Sequence, residues 1–550
     1  MKYAVKLLTL RLLLMIPTVL SAQYTCLTNN GTITITQYNG LEGMVIIPSF
    51  IHGIIVTDIG HAAFGSSTGL TSVTIPESVT NIGVEAFGDC PNLTAITVDV
   101  RNSVYASVAG VLFNQNLTTL IQCPGGKAGN YTIPASVTSI GEDGFGDCSS
   151  LTSVTIPNSV TNIGAEAFGD CPSLTAITVD ASNTIYSSVE GILFNLNQTT
   201  LIQYPGGKAG SYPIPASVTS IGEAAFYECV GLTSVAIGNG VTNIGEDAFG
   251  ACPRLMTITV DALNSVYGSA AGVLFNQNRT TLIQCPGGKA GSYTIPDSVT
   301  RIGFSAFRYC TALTDITIAD SATSIGDSAF AFCTGLTRVT IPNYITNLED
   351  EAFSSCTNLT SVTIGNSVRN LGSYTFAFCP RLTDIRIPNS VTNLGSWAFD
   401  SCVNLTRCTI SSRLTNISDG VFNNCTSLKE LCFQGNAPSC GLSVFDGVTN
   451  VTVYYLADTA DWGATFSGHP TALWKPQVVT MDGNFGVRTN QFGFNVLWAD
   501  GRTLIMEAST NLVNPAWVPV YTDTLTSGSS YFSDPQWTNH PGRFYRLRAP

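Results

Sequence analysis

Hydrophobic residues recur along this chain with a period of 23 residues. A phenylalanine is followed three residues later by a cysteine, and three residues after that by a leucine. In the C-terminal half the phenylalanines of this set are Phe307, Phe330, Phe353, Phe376, Phe399 and Phe422. A fixed period of 20 to 50 residues is typical of a solenoid, in which each repeat buries its apolar face against its neighbours. The pattern therefore predicts a solenoid.

One repeat predicts the elements of a coil. Between Leu151 and Ile156 apolar and polar residues alternate as in a half-buried strand, which Pro157 ends because proline cannot donate to a ladder. A second short apolar stretch ends at Gly164, and the residues from Ala165 to Phe168 suit one helical or 3₁₀ turn. We expect an α/β solenoid with a parallel sheet on one face. In that interpretation Glu166 offsets the dipole of the helical turn.

The N-terminal half carries a longer period of 81 residues. The Ile-Gly pairs that begin at Ile59, Ile140, Ile221 and Ile302 mark three blocks. Each block is one 23-residue unit plus a 58-residue unit, whose 35 additional residues end in a Pro-Gly-Gly-Lys sequence. We therefore expect leucine-rich repeats over residues 59–433, as three 81-residue blocks followed by plain 23-residue repeats.

Both ends depart from the repeat. Strand-like patches in residues 23–58 predict an N-terminal cap, and the irregular residues 434–474 predict a C-terminal cap. Residues 475–550 contain short apolar or alternating runs separated by turn residues, which is typical of a small β-sandwich-like module.

The first 22 residues have the features of a signal peptide. Lys2, Lys6 and Arg11 precede the apolar run Leu12 to Leu20, and Ser21-Ala22 suits cleavage. We therefore expect an exported protein, secreted or on the cell surface, with no transmembrane segment after cleavage. Only 11% of residues are charged and the net charge is −13, which argues against a nucleic-acid partner.

The 17 cysteines admit two interpretations. An exported protein rich in cysteine is usually disulfide-bonded. Here eleven cysteines hold one repeat position, which favours a buried column of free thiols that pack as small hydrophobes. They are Cys90, Cys148, Cys171, Cys229, Cys252, Cys310, Cys333, Cys356, Cys379, Cys402 and Cys425. Disulfides or metal binding remain alternatives, and Cys432 and Cys440 are the better disulfide candidates.

The chain has no recognisable catalytic constellation, so we predict no catalytic, cofactor-binding or metal-ligating residues. The Gly-Gly-Lys-Ala turns lack the Ser or Thr of a phosphate-binding loop. Charges do enter the outward positions of the later strands, where the earlier repeats carry small residues. We predict a binding stripe there, with neutral drift or cross-strand charge pairing as the alternatives. The stripe consists of Asp315, Arg338, Asp384, Arg386, Arg407 and Glu430.

The repeats resemble the BspA-like leucine-rich repeat family of bacterial surface proteins. The consensus of that family runs close to Ile-Gly-x-x-Ala-Phe-x-x-Cys-x-x-Leu-Thr-x-Val-Thr-Ile-Pro, and the likeness covers roughly residues 30–470. The resemblance implies a secreted or surface-displayed protein that binds other proteins or cells. We expect a monomer without catalytic activity. The alternatives are a structural spacer that displays the C-terminal module, or an enzyme whose active site lies in that module.

Overall fold

The structure is a computed structural model that describes residues 23–40, 43–489, 491–499, 501–525, 528–540 and 542–549. The predicted signal peptide, residues 1–22, lies outside the described residues. The chain divides into two compact units, residues 1–336 and 337–550. We call them the block region and the plain region.

The predicted strand of each repeat is present, and neighbouring strands pair in parallel in several separate sheets, which together we call the first ladder. In the block region its strands are Met44–Ile46, Ser72–Ile75, Ala95–Val98, Gly129–Thr132, Leu151–Ile156, Ala176–Val179, Gly210–Pro213, Leu232–Ile237, Thr257–Val260, Gly291–Thr294 and Leu313–Thr317. In the plain region they are Arg338–Thr340, Ser361–Thr363, Asp384–Arg386, Arg407–Ile410, Glu430–Phe433, Thr452–Tyr455 and His469–Leu473.

A second ladder of two-residue parallel strands lies after the turn that follows each first-ladder strand. In the block region these strands are Asn81–Ile82, Ser139–Ile140, Asn162–Ile163, Ser220–Ile221, Asn243–Ile244, Arg301–Ile302 and Ser324–Ile325. In the plain region they are Asn347–Leu348, Asn370–Leu371, Asn393–Leu394, Asn416–Ile417 and Ser439–Cys440.

The predicted helical turn is wrong, and with it the α/β label. The stretch from Ala165 to Phe168 is a turn whose backbone is left-handed at Glu166 (φ 50°), a conformation that interrupts any right-handed helix. The backbone N–H and C=O groups of this turn form hydrogen bonds with the neighbouring coil. For example, the Phe145 N–H donates to Ala167 O at 2.8 Å. Among the described residues the one helix is a 3₁₀ turn, Trp537–Asn539. The protein is a β-solenoid, and dipole compensation does not explain Glu166.

The core is a column of phenylalanines beside a column of cysteines. Neighbouring rings stack, as Phe145 and Phe168 do with centroids 5.2 Å apart and planes 8° apart. All eleven cysteines of the repeat position are buried free thiols. The Sγ of Cys171 donates to Phe145 O at 3.0 Å, and Cys425 contacts Phe399 O in the same way at 3.1 Å. The thiols therefore fill space and also satisfy a buried carbonyl.

Cys432 and Cys440, the predicted disulfide candidates, are free thiols in the structure. Cys432 lies on the first ladder, paired with Thr409, whereas Cys440 lies on the second ladder, paired with Ile417. The two cysteines thus occupy different faces of the coil.

Each block contains an inserted three-stranded meander. The first consists of Tyr105–Val108, Val111–Asn114 and Thr119–Gln122, and its third strand pairs in parallel with Ser139–Ile140. The other two meanders consist of Tyr186–Val189, Ile192–Asn195 and Thr200–Gln203, and of Tyr267–Ala270, Val273–Asn276 and Thr281–Gln284. A buried asparagine anchors each meander. Asn102 Nδ2 donates to two carbonyls of the preceding turn, and its Oδ1 accepts from Val104 N and Tyr105 N.

Strands also form at both ends. Tyr24–Asn29 and Thr32–Tyr38 form a hairpin that pairs with Ile54–Ile59, which in turn pairs with Phe50–Ile51. Ile33 and Ile35 of this hairpin are buried. At the other end Thr465–Phe466 forms a hairpin with His469–Leu473. Two antiparallel sheets follow. One consists of Gln477–Val479, Gly486–Arg488, Gln491–Leu497 and Ser529–Asp534, and the other of Thr503–Ser509, Val518–Thr524 and Phe544–Arg548. We call residues 475–550 the terminal segment.

Candidate functional site

Parallel pairing in the plain region brings four residues of the predicted binding stripe together. Asp384, Arg407 and Glu430 hold one register position on adjacent strands, and Arg386 lies two residues beyond Asp384. The alternate residues of these strands, such as Ile385, face the buried core. The period of two therefore places the charged side chains on the outer face of the first ladder.

The terminal segment covers this outer face. The described residues form a cleft of about 320 Å³, lined by Asp384, Arg386 and Arg407 on the ladder and by Trp474 and Trp498 opposite them. Both indoles are mostly buried, and Trp498 Nε1 donates to Trp474 O at 3.0 Å. The cleft therefore combines charged side chains with rigid aromatic ones, a composition typical of binding surfaces.

The two arginines are held differently. The guanidinium carbon of Arg407 lies 5.9 Å from the Trp474 ring centroid, and its Nε lies 3.5 Å from a carboxylate oxygen of Glu430. Arg386 lies against Gly528, where a Cβ would come within 2.7 Å of its Nη1. A side chain at this position would displace the guanidinium group, and the left-handed backbone there (φ 71°) also favours glycine.

The electrostatics of the cleft are mixed. Desolvation raises the pKa of Asp384, although Arg407 and Arg386 both favour its charged form. At the back of the cleft Gln434 is 7% exposed, and its side-chain amide has no hydrogen-bond partner among the described residues. The Gln434 amide therefore offers the cleft an unused hydrogen-bonding group beside two cations and a carboxyl group.

The other two residues of the predicted stripe lie elsewhere. Arg338 is exposed and pairs with Ser361, outside the residues that line the cleft. Asp315 belongs to the block region, where it is half-buried and pairs with Ser292. The six residues of the predicted stripe therefore lie in several separate environments.

Sequence reasoning missed the other side of the cleft. Trp474, Trp498 and Gly528 follow no repeat, so no periodic signal marks them. Gln434 did carry a signal, because it stands where other repeats have Pro342 or Pro388 after the strand. Among the described residues no group of three or more His, Cys, Asp or Glu side chains is arranged to hold a metal ion.

The coil geometry and the repeat consensus together identify the family. The chain matches the family described as "BspA type Leucine rich repeat region (6 copies)" over residues 32–124, 125–206, 206–281, 287–402 and 350–462. The chain belongs to the BspA-type leucine-rich repeat family. The predicted resemblance is thereby confirmed for this BspA-type protein.

Several solved structures of bacterial proteins are similar to this BspA-type chain. A leucine-rich cell surface protein from Faecalibacterium prausnitzii is 27% identical over 75% of this chain and 94% of that chain, with a TM-score of 0.38. A leucine-rich repeat protein from Eubacterium ventriosum is 25% identical over 68% and 91% of the two chains, with a TM-score of 0.35. The pneumococcal vaccine antigen PcpA is 17% identical over 82% and 96%, with a TM-score of 0.38. No curated protein matches the chain.

The described part of the chain contains no helix with the length and apolar character that crossing a bilayer demands.

Proposed function

We propose that this protein is an exported, surface-displayed scaffold that binds a protein or cell-surface ligand and carries out no catalysis. The features of residues 1–22 support export. Membership of the BspA-type family supports the scaffold role, since a solenoid presents a long surface on which binding residues vary. The cleft of the plain region is the proposed binding site.

The observation that carries this proposal is the composition of the cleft. Arg386, Arg407 and Trp474 belong to the residue types that dominate binding energy at interfaces. The unpartnered amide of Gln434 adds a hydrogen-bonding group that a ligand would satisfy. A cleft of about 320 Å³ admits a side chain or a single sugar ring, not a folded domain.

The test is direct binding by the purified mature protein. It is immobilised and exposed to host matrix proteins, bacterial cells and polysaccharides, and every positive ligand is then measured against variants. We expect R386A and R407A each to weaken binding by about tenfold or more. R413A, at an exposed arginine outside the cleft residues, should bind like the wild type.

R338A separates the cleft from the predicted stripe. Arg338 belongs to the stripe but does not line the cleft, so a loss of binding in R338A with normal R386A would transfer the site to the open strand face. Wild-type binding by R386A, R407A and R338A alike would remove both surfaces from consideration.

A second candidate is that the terminal segment protects the end of the solenoid. Phe494, Val496 and Trp498 share one buried cluster with Cys432 and Leu456 of the repeats. Exposing that cluster would leave a hydrophobic end, which solenoids normally cap. A chain that ends after residue 474 should then aggregate, whereas a chain that serves only as a binding display should stay monodisperse in light scattering.

A further inference from the structure

The second ladder of the block region is interrupted wherever a meander is inserted. Asn81–Ile82 pairs with Ile54–Ile59, and the ladder piece ends there, because the inserted strand Thr119–Gln122 pairs with Ser139–Ile140 and Val111–Asn114 instead. A cavity of about 160 Å³ lies at this interruption, lined by Ile82 to Glu85 on one side and by Gln122 and Asp143 on the other. We call it the first notch.

The notch exists because the inserted rung is shorter than an ordinary coil. Gly141 N donates to Leu120 O at 2.8 Å and Cys123 N donates to Gly144 O at 2.7 Å, so only Ile121 and Gln122 separate the two contacts. An ordinary coil bulges outward at this point through a left-handed residue, as at Glu85. The missing bulge leaves an opening between the coils before and after it.

Gln122 is the decisive group in the notch. Its side chain is 7% exposed, lines the cavity, and has no hydrogen bond to the described residues. Asn102 of the same block is buried to a similar extent, but its amide makes four hydrogen bonds. The amide of Gln122 faces the opening without a protein partner, so it is available to a group that enters the notch.

The walls of the first notch carry only negative charge. Glu85, Glu142 and Asp143 line it, and neither lysine nor arginine is among the lining residues. Desolvation, together with Glu85, Glu166, Glu142 and Asp147, raises the pKa of Asp143 to about 7. A cation in the notch would relieve this repulsion. Among the described residues no three His, Cys, Asp or Glu side chains are arranged to hold a metal ion, and the apolar residues that line the notch favour an organic cation.

We propose that the first notch binds a primary ammonium group at the end of an aliphatic chain, supplied by a small free amine or by a lysine side chain. The ammonium group has three N–H donors and no acceptor, which matches the carboxylates and the Oε1 of Gln122. Ile82, Val84 and Ile121 provide apolar wall for the aliphatic stem. This site is separate from the cleft of the plain region.

The corresponding opening in the third block, which we call the third notch, provides an internal control. It has a cavity of about 260 Å³, but Arg301 lines it and Arg308 Nη1 lies 2.9 Å from the Asp247 carboxylate. Its buried glutamine, Gln284, already donates to Cys285 O at 3.2 Å. The third notch therefore lacks the uncompensated negative charge of the first.

The experiment is calorimetric titration of the full-length mature protein at constant ionic strength. We expect n-butylammonium to bind saturably and n-butanol, which has the same stem without the charge, not to bind. Nα-acetyl-lysine-N-methylamide and its Nε-acetylated form distinguish the two sources. Binding of the first but not the second assigns a lysine side chain, and binding of butylammonium alone assigns a free small amine.

Matched variants locate the binding. We expect the double variant Glu85→Gln/Asp143→Asn and the single variant Gln122→Leu each to weaken butylammonium binding at least about tenfold. Gln284→Leu in the third notch, and Asp297→Asn at an exposed carboxylate, should bind like the wild type.

Thermal melting checks that Gln122→Leu is folded. If it is not, the double variant Glu85→Gln/Asp143→Asn, which we call the wall variant, tests the proposal alone. That variant keeps the size of both side chains, and asparagine tolerates the left-handed backbone of position 143. Equal binding of butanol and butylammonium, or unchanged affinity in the wall variant, would overturn the proposal.

Discussion

The block region and the plain region use the same repeat, but only in the block region do inserted meanders interrupt the second ladder. In the plain region Asn370–Leu371 pairs with both neighbouring coils, and Asn370 Nδ2 donates to Asn347 Oδ1 at 2.8 Å. In the block region the ladder ends at each insertion. There a tyrosine hydroxyl of the meander accepts a hydrogen bond from the backbone amide at the ladder end, as Tyr105 does from Ile82 N at 3.0 Å. The repeat therefore builds the interior of the solenoid, whereas the interruptions of the repeat create the openings.

The largest difference between the regions should appear when an asparagine is truncated. Asn183 is buried and makes four hydrogen bonds that hold the second meander, whereas Asn370 is partly exposed and makes one to its neighbour. We expect N183A to cost about 2–4 kcal/mol of unfolding free energy and N370A about 1 kcal/mol or less. Denaturant unfolding followed by circular dichroism gives both values.

Hydrogen exchange supplies the local check on this comparison. In N183A the amides of Tyr186–Val189 and Ile192–Asn195 should lose protection, while those of Leu232–Ile237 should keep it. An equal cost for N370A would show that the insertions are no more dependent on their anchors than the plain coils are on their asparagine ladder.

Much of the solenoid was predictable from sequence because its period is maintained over many repeats and the same residue types recur at its core positions. The strand at Leu151–Ile156, the buried position of Cys171 and the block period all follow from repetition. The turn at Glu166 was not predictable from local pattern. Its short apolar stretch suits a helix, and only the hydrogen bonds between stacked coils decide in favour of an extended path.

The candidate sites were predictable only in part. Alternation along the strands places Asp384 and Arg407 on one outward face, as the structure shows. Trp474 could not be assigned to that site, because its contact depends on where a non-repeating segment packs. Gln122 was equally hard to assign, since a glutamine at the end of a strand normally predicts exposure, whereas this one is buried.

The cysteine column should behave identically in the two regions. Cys171 Sγ lies 3.0 Å from Phe145 O in the block region, and Cys379 Sγ lies 3.4 Å from Phe353 O in the plain region. We expect C171A and C379A each to cost about 1–2 kcal/mol, because each leaves a small cavity and a carbonyl without its donor. Thermal unfolding of the two variants tests this equality.

Thiol titration is the companion measurement. Burial raises the pKa of Cys402 to about 12 and that of Cys90 to about 11, so the thiolate is scarce at neutral pH. Native protein should react with a thiol reagent only slowly and denatured protein completely. Rapid reaction of the column cysteines in the native state would contradict the packing role in both regions.

A smaller effect should follow from removing one tyrosine hydroxyl that closes an interrupted ladder. Tyr186 accepts a hydrogen bond from Ile163 N at 3.1 Å. In Y186F water can replace the hydroxyl, so we expect a loss of about 1 kcal/mol or less, seen as roughly fivefold faster exchange of the Ile163 amide. Tyr344→Phe, at an exposed tyrosine of the plain region, is the control. Unchanged exchange at Ile163 would mean that the ladder end needs no partner.

The last effect depends on pH and concerns Asp143 in the block region. Because the folded-state pKa of Asp143 is raised to about 7 from an ordinary value of 3.8, the folded protein holds this proton where the unfolded chain does not. Stability from this group is therefore lost as pH rises from about 4 to about 7. Asp143→Asn should be more stable than wild type by about 1 kcal/mol at pH 8, after allowance for solvent screening, and equal to it near pH 4. Asp297→Asn controls for the loss of one charge. A difference in unfolding free energy between Asp143→Asn and wild type that stays constant from pH 4 to pH 8 would show that the carboxylates of the first notch do not repel one another.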